Sequence, residues 1–178
     1  NKYIYDNTVE SFDFFEKYFN TINSKNEPII MLEGNGDVRA ISMAYNMDSK
    51  KPLDSIIRMS YLKEVDKLYN IKEIFINQQG ENVNYSRYWH GQVMYLKIMM
   101  LFMPVGYTLY FSQFIVLLLL FILVLKKMYK KNIILTISYA IMCLSINSFF
   151  TAFSVQYYFS ILLMFIFSYM ILKLYENN

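Results

Sequence analysis

The sequence predicts a mainly α-helical membrane protein fragment, in which a small α or α+β extracytoplasmic segment precedes a juxtamembrane helix and three transmembrane helices. The main observation is two long runs without a charged residue, 98–125 and 132–172. One span needs about 20 apolar residues, so the first run provides one span and the second provides two. A composition that is 56% hydrophobic agrees with this fold class, because soluble domains contain roughly 45–50% apolar residues.

Charge is distributed unevenly along the chain. Residues 1–98 carry twelve basic and thirteen acidic residues, whereas residues 99–178 carry five Lys and one Glu. The positive excess therefore flanks the predicted spans, and no nucleic-acid partner is expected. The single cysteine, Cys143, lies inside an apolar run, so no disulfide framework is expected either.

Residues 1–88 are predicted to form the extracytoplasmic segment. Apolar side chains recur there at the three-to-four-residue spacing of amphipathic helices. A glycine-rich turn at 33–37 precedes one of these helices, with Asp37 at its start. The short apolar run 71–76 is either a strand or a continuation of the preceding helix. The predicted helices cover about 8–20, 37–45 and 53–69.

Residues 89–103 are predicted to form the juxtamembrane helix, and residues 104–178 the transmembrane bundle. The Pro104-Val105-Gly106 sequence separates the two, because proline and glycine interrupt helices. The polar middle of the second uncharged run divides it into two helices. The predicted spans are about 107–125, 133–148 and 157–172.

Orientation follows from the basic connector at 126–131, since short loops rich in Lys face the cytoplasm. Residues 1–98 are then extracytoplasmic, and the protein is predicted to be a multi-pass membrane protein in contact with the lipid bilayer. An extracytoplasmic segment without a signal peptide needs an upstream span. We therefore expect the sequence to lack pieces of a longer protein at both ends.

The segment 85–90 holds the first candidate site. Arg87 carries a guanidinium suited to binding phosphate or carboxylate, and His90 is a candidate acid, base or metal ligand. Alternatively, Tyr88 and Trp89 belong to an aromatic belt at the membrane surface, with Arg87 extending towards lipid headgroups. Composition alone favours this second interpretation.

Glu33 and Asp37 form the second candidate site. Two acidic residues four positions apart on a glycine-rich turn are suited to coordinating a divalent cation, or one of them to acting as a general base. The alternative is turn chemistry followed by a helix cap, which explains the two glycines and Asp37 without any function.

These two segments together resemble a family of large uncharacterised bacterial polytopic membrane proteins. The family carries an Arg-Tyr-Trp-His-Gly motif, here residues 87–91, at the end of a long first extracytoplasmic loop. Its earlier acidic motif corresponds to residues 33–37, which keep an acid and the final Asp but lack the family's Thr. The family's Arg-Pro pair corresponds to Lys97-Ile98, and residues 149–163 resemble its third span.

The resemblance implies a layout similar to that of GT-C membrane glycosyltransferases, which use polyprenyl-phosphate-linked sugars. It implies that Asp37 is the base or metal-binding acid, that Arg87 binds the lipid-linked phosphate beside Tyr88 and Trp89, and that His90 assists proton transfer or phosphate binding. It also implies a location in a bacterial cytoplasmic (inner) membrane. A non-catalytic polytopic envelope protein, such as a transporter or an assembly subunit, is the alternative. A membrane transferase of another class, such as an acyltransferase, is a further alternative.

Overall fold

The computed structural model describes residues 2–25, 34–63, 70–85 and 91–175. It is mainly α-helical, with a small α/β part at the N-terminal side and three long apolar helices at the C-terminal side, as the sequence predicts. The chain divides into two compact units on either side of the bond between Leu109 and Tyr110.

The N-terminal unit contains short helices around a two-stranded ribbon. Its described elements are α1 (Lys2–Lys25), α2 (Gly34–Asn46), α3 (Pro52–Ile57), β1 (Ser60–Leu62), α4 (Ile71–Ile76), β2 (Asn82–Asn84) and α5 (Gly91–Met99).

Helix α1 is longer than the sequence predicts. The sequence predicts that this helix begins near Thr8. Instead the hydroxyl of Thr8 donates a hydrogen bond of 2.6 Å to the carbonyl of Ile4, one turn earlier in the same helix. Thr8 is buried together with Ser11, Phe12 and Phe15, so the packed face of α1 extends over these turns.

Helix α2 is the central element of the unit and contacts α1, β1 and α5. Its middle is buried on almost every side, and its small side chains allow close packing. The buried apolar residues are Val38, Ala40, Ile41, Met43 and Ala44. Tyr45 at its exposed side stacks edge-on against Phe75 of α4, with ring centroids 4.8 Å apart.

The ribbon is antiparallel and pairs Tyr61 with Val83 at its centre. Two polar side chains of α2 hold it: the backbone N–H of Leu62 donates to the Ser42 hydroxyl at 2.8 Å, and the Asn46 amide donates to the side-chain oxygen of Asn82 at 3.1 Å. The predicted helix over 53–69 is therefore wrong at 58–62, where the chain leaves α3 and forms β1; residues 64–69 lie outside the described residues.

Helix α4 is fixed to α1 by polar and aromatic contacts. The Lys72 amine lies 2.7 Å from Asp13, and the backbone N–H of Lys72 donates to Glu16 at 2.7 Å. The rings of Phe12 and Phe75 meet edge to face with centroids 5.2 Å apart. The sequence is compatible with either a strand or a helix at residues 71–76, and the structure shows a helix.

The C-terminal unit contains α6 (Tyr107–Tyr129), whose first turn belongs to the N-terminal unit, α7 (Ile133–Ser145) and α8 (Val155–Leu174). Helix α7 measures about 20 Å at 1.5 Å per residue. The apolar run continues through a turn with Asn147 at φ 52° and a 3-10 helix at Phe150–Phe153. The second predicted span therefore leaves α-helical geometry after Ser145.

Among the described residues, three helical stretches are long and apolar enough to cross a membrane: Tyr107–Tyr129, Ile133–Phe153 and Val155–Leu174. Only 17–28% of the residues in their most apolar windows are buried. Such a surface is compatible with lipid rather than with water. The chain is therefore a multi-pass membrane protein.

Candidate functional site

Among the predicted site residues, Asp37 is the one that the structure describes. Glu33, Arg87, Tyr88, Trp89 and His90 lie outside the described residues. The geometry of the candidate site is therefore built from Asp37 and from the elements that flank the two motifs.

Asp37 lies in the first turn of α2 and is fully buried, with 0% of its surface exposed. The sequence predicts a carboxylate on an open turn, so this burial was not foreseen. An acid in the first turn is stabilised by the unpaired N–H groups and the positive end of the helix. Burial of a carboxylate is otherwise costly, and Asp37 accordingly interacts within the protein.

The residues that flank the 86–90 segment lie in the same unit as Asp37. On one side, the backbone N–H of Tyr85, which follows β2, donates to the carbonyl of Met59 at 2.7 Å, beside β1. On the other side, Gly91 is buried at the start of α5. The segment therefore connects β2, whose partner strand β1 contacts α2, to α5, which also contacts α2.

Lys97 is a buried charged residue that the sequence interpretation did not single out as functional. Its side chain is on the packed face of α5, and only 8% of the residue is exposed. Its amine donates a hydrogen bond to the carbonyl of Met47, directly after the end of α2. A cation at this position satisfies a terminal carbonyl and the negative end of the helix.

A sequence signal for the burial of Lys97 exists. Val93, Leu96 and Met100, all buried, recur at the spacing of one helix face, and Lys97 falls within that stripe. Burial lowers the pKa of the Lys97 amine, and the nearby negative charge of Asp48 partly opposes this effect.

The Lys97→Met variant is expected to lose part of the pH dependence of stability. The pKa of Lys97 is lower in the folded state than its ordinary value of 10.5. Between these two values the unfolded state binds more protons than the folded state. The free energy of unfolding of the wild type therefore increases as pH rises through this range. Urea unfolding in detergent micelles at several pH values between neutral and about 10 measures this effect. The free energy of unfolding of the wild type minus that of the variant should increase with pH.

Lys72→Met is the control, and its wild type minus variant difference should stay constant up to pH about 10. The hydrogen bond with Asp13 raises the pKa of Lys72 above its ordinary value of 10.5, so the contribution of Lys72 is fully present below 10.5 and is lost only at higher pH. A Lys97 difference that stays constant like that of Lys72, or that falls with rising pH, would contradict the buried placement of Lys97.

An open groove of ≈ 330 Å³ lies between α1 and α4. It is lined by Tyr5, Asp6, Val9, Glu10, Asp13, Lys72 and Ile76. Hydrogen bonds from Lys17 and Lys72 lower the pKa of Asp13, so this carboxylate is engaged in holding the two helices together. The sequence interpretation did not identify the groove, although Asp6, Glu10 and Asp13 follow helical spacing.

No family model, curated protein or solved structure matches this chain. The resemblance carried by residues 33–37 and 87–91 therefore stays a prediction.

In the part of the chain that the structure describes, no three His, Cys, Asp or Glu side chains are grouped so as to hold a metal ion. The predicted divalent cation depends on Glu33, outside the described residues, and stays a prediction.

Basic residues gather at one end of the C-terminal unit. The amine of Lys127 lies over the ring of Tyr169, and that of Lys131 over the ring of Tyr175, each at 5.1 Å from the ring centroid. These contacts bring the end of α6 and the connector after it next to the end of α8, where Lys173 also lies. The opposite ends of α7 and α8 carry no charged side chain over 146–155.

Proposed function

We propose that the protein is a membrane-embedded, glycosyltransferase-like enzyme of cell-envelope glycan assembly that uses a lipid-linked phosphate sugar. The observation that carries the proposal is the fully buried carboxylate of Asp37 in a unit that leads directly into a membrane span. Buried ionisable groups occur preferentially at functional sites, because folding alone gains little from them.

In this proposal, Asp37 acts as the base or binds a divalent cation, while Arg87 binds the phosphate through its planar guanidinium. His90 assists proton transfer or phosphate binding, and Tyr88 and Trp89 contact the lipid-linked substrate at the membrane surface. The short connection from Tyr85 to Gly91 supports bringing these residues towards α2. Arg87, Tyr88, Trp89 and His90 are each at most three residues along the chain from Tyr85 or Gly91.

The burial of Asp37 sets a condition on this mechanism. A general base must come within about 2.6–3.2 Å of the proton that it removes, so substrate binding has to open a path to the Asp37 carboxylate. Movement that assembles or uncovers a catalytic group is common among enzymes that exclude water. A rigid, permanently covered Asp37 would be unable to act as the base.

The alternative is a non-catalytic polytopic envelope protein, such as a transporter or an assembly subunit. In this alternative Asp37 can stay covered, because a carboxylate that only stabilises the start of α2 needs no access to a substrate. In that case the loss of Arg87 or His90 lowers the amount of folded protein rather than the turnover.

Removal of the Arg87 guanidinium separates these two functions. We expect Arg87→Ala to reduce sugar transfer from a polyprenyl-phosphate donor by at least about tenfold, as loss of a charge-assisted phosphate contact of more than 1.4 kcal/mol does. Transfer is measured in membranes of a deletion strain expressing the full-length protein, with the protein amount quantified in parallel.

Arg58→Ala is the matched control, because Arg58 is an exposed arginine of the same unit whose partner is Asp54 on the same helix. Full transfer by Arg87→Ala would overturn the role of Arg87. No transfer by the wild-type protein, together with a reduced amount of the Arg87→Ala protein, would support the non-catalytic alternative.

We also propose that the unit before the first span is extracytoplasmic in a bacterial cytoplasmic membrane. The basic residues gathered at the end of α6 and α8 support this orientation through the positive-inside tendency. In a Cys143→Ala background, a membrane-impermeant thiol reagent should label Ser49→Cys in intact cells and label Asn132→Cys only after lysis. Both positions are exposed. The reverse pattern would overturn the orientation and the proposed site with it.

A further inference from the structure

Helix α5 and the turn after it have two apolar faces. The inner face packs into the N-terminal unit through Val93, Leu96, Lys97 and Met100, which are all buried. The opposite side exposes large apolar side chains, Met94, Ile98, Leu101 and Phe102, which we call the α5 outer face. Phe102 is 75% exposed, and the other three are between 38% and 47% exposed.

The position of this outer face is fixed by α1. The side-chain amide of Asn7 donates to the carbonyl of Met100 at 2.8 Å, and the backbone N–H of Val105 donates to the hydroxyl of Ser11 at 2.8 Å. These two bonds hold both ends of the segment that contains Leu101 and Phe102. The segment is therefore a constrained part of the unit.

Helix α1 also contacts the start of the first span. The ring of Phe14 meets the ring of Tyr107 edge to face at 4.8 Å, and it lies beside Gly106, where an added Cβ would be in ordinary contact with the ring at 3.5 Å. Tyr107 is the first residue of α6 and follows Phe102 by five positions. The α5 outer face is thus attached to the point at which the chain begins to cross the membrane.

The charge pattern agrees with a lipid environment. No Asp, Glu, Lys or Arg occurs between Lys97 and Lys126, and Lys97 itself is turned into the protein. The α5 outer face consequently presents hydrocarbon and thioether groups without a charged neighbour on its own helix. Such a surface is favourable in the acyl-chain region of a membrane and unfavourable in water.

We propose that the α5 outer face lies in the acyl-chain boundary of the leaflet at which α6 begins. Its occupant is bilayer lipid, because the face is continuous along the chain with a membrane span, and α1 fixes both ends of the segment that connects them. This contact seats the N-terminal unit on the membrane. It holds whether or not the protein is an enzyme.

The test measures the surroundings of single nitroxide labels in a Cys143→Ala protein reconstituted in phosphatidylcholine nanodiscs. Labels replace Met94, Ile98 and Phe102 on the outer face, with Gln92 and Tyr95 as half-buried positions of the same helix. We expect collisions with oxygen to exceed collisions with a water-soluble nickel chelate at the outer-face labels. This preference should rise and fall along the helix with a period of 3.6 residues.

Labels at Gln79 and at Ile57 are the controls, because the first is an exposed polar loop residue and the second an exposed apolar residue of α3. Nickel access at Ile98 and Phe102 equal to that at Gln79 would overturn the proposal, since the face would then be in water. Low access to both reagents would also overturn it, by indicating that protein, such as a second copy, covers the face. An oxygen preference at Ile57 equal to that at Phe102 would show that the lipid contact is not specific to the α5 outer face, which would contradict the proposal.

A benzoylphenylalanine in place of Phe102 provides a second measurement that keeps the apolar ring. Photolysis should attach lipid to the protein at this position. Cross-links to protein without any lipid adduct would overturn the proposal even if the spin-labelled variants failed to fold.

Discussion

Phe12→Ala is expected to lower the free energy of unfolding of the N-terminal unit by about 3–5 kcal/mol, which is the range for a buried Phe truncated to Ala. Phe12 is fully buried on α1, and its ring packs edge to face against Phe75 of α4. Truncation removes this contact and leaves a cavity that the neighbouring helices fill only partly.

Urea unfolding in detergent micelles, followed by circular dichroism, measures the loss. Leu53→Ala is the control, because Leu53 is 73% exposed and its truncation should change stability by less than about 0.5 kcal/mol. Similar effects of the two substitutions would show that α1 and α4 are not packed as described.

Asp37→Ala is expected to lower the free energy of unfolding by about 1–2 kcal/mol, the range for an acid that interacts with the positive end of a helix in a buried position. The substitution leaves the first turn of α2 without its acid. Asp37→Asn keeps the size and a polar side chain, so its loss should be smaller. Thermal unfolding of both variants in micelles measures the difference.

Asp54→Asn is the control for the removal of a charge. Asp54 is also an acid in the first turn of a short helix, α3, but its side chain is 57% exposed. Its substitution should have little effect on the melting temperature. If Asp37→Ala were as stable as Asp54→Asn, the buried environment of Asp37 would be contradicted.

Much of the fold follows from sequence pattern because membrane spans are specified by composition and length. Helices α6 and α8 coincide with uncharged runs that end at Lys residues. Helix α7 is less predictable, because its departure from α-helical geometry after Ser145 depends on a local conformation, Asn147 at φ 52°, inside a uniformly apolar run.

The N-terminal unit was harder to predict because tertiary contacts override local preference. The strand β1 lies in a stretch whose apolar spacing favours a helix, but the hydroxyl of Ser42 and the amide of Asn46 provide partners for the ribbon instead. Both side chains belong to α2, far from β1 along the chain. No pattern within 53–69 reveals them.

The candidate site could likewise be predicted only in part. The glycine-rich turn identified Asp37 as a residue at the start of a helix, which the structure places in the first turn of α2. Its burial depends on packing around α2 and is invisible to local pattern. Lys97 is different, since its place in an apolar stripe is a local signal of burial that was available in the sequence.

The most direct test of the proposed function is sugar transfer by the Asp37→Asn variant of the full-length protein, measured from a polyprenyl-phosphate donor together with its melting temperature. The proposal expects transfer to fall by about 10²-fold or more, as loss of a general base does, while the melting temperature stays close to that of the wild type. Transfer at the wild-type rate by a folded Asp37→Asn protein would contradict it.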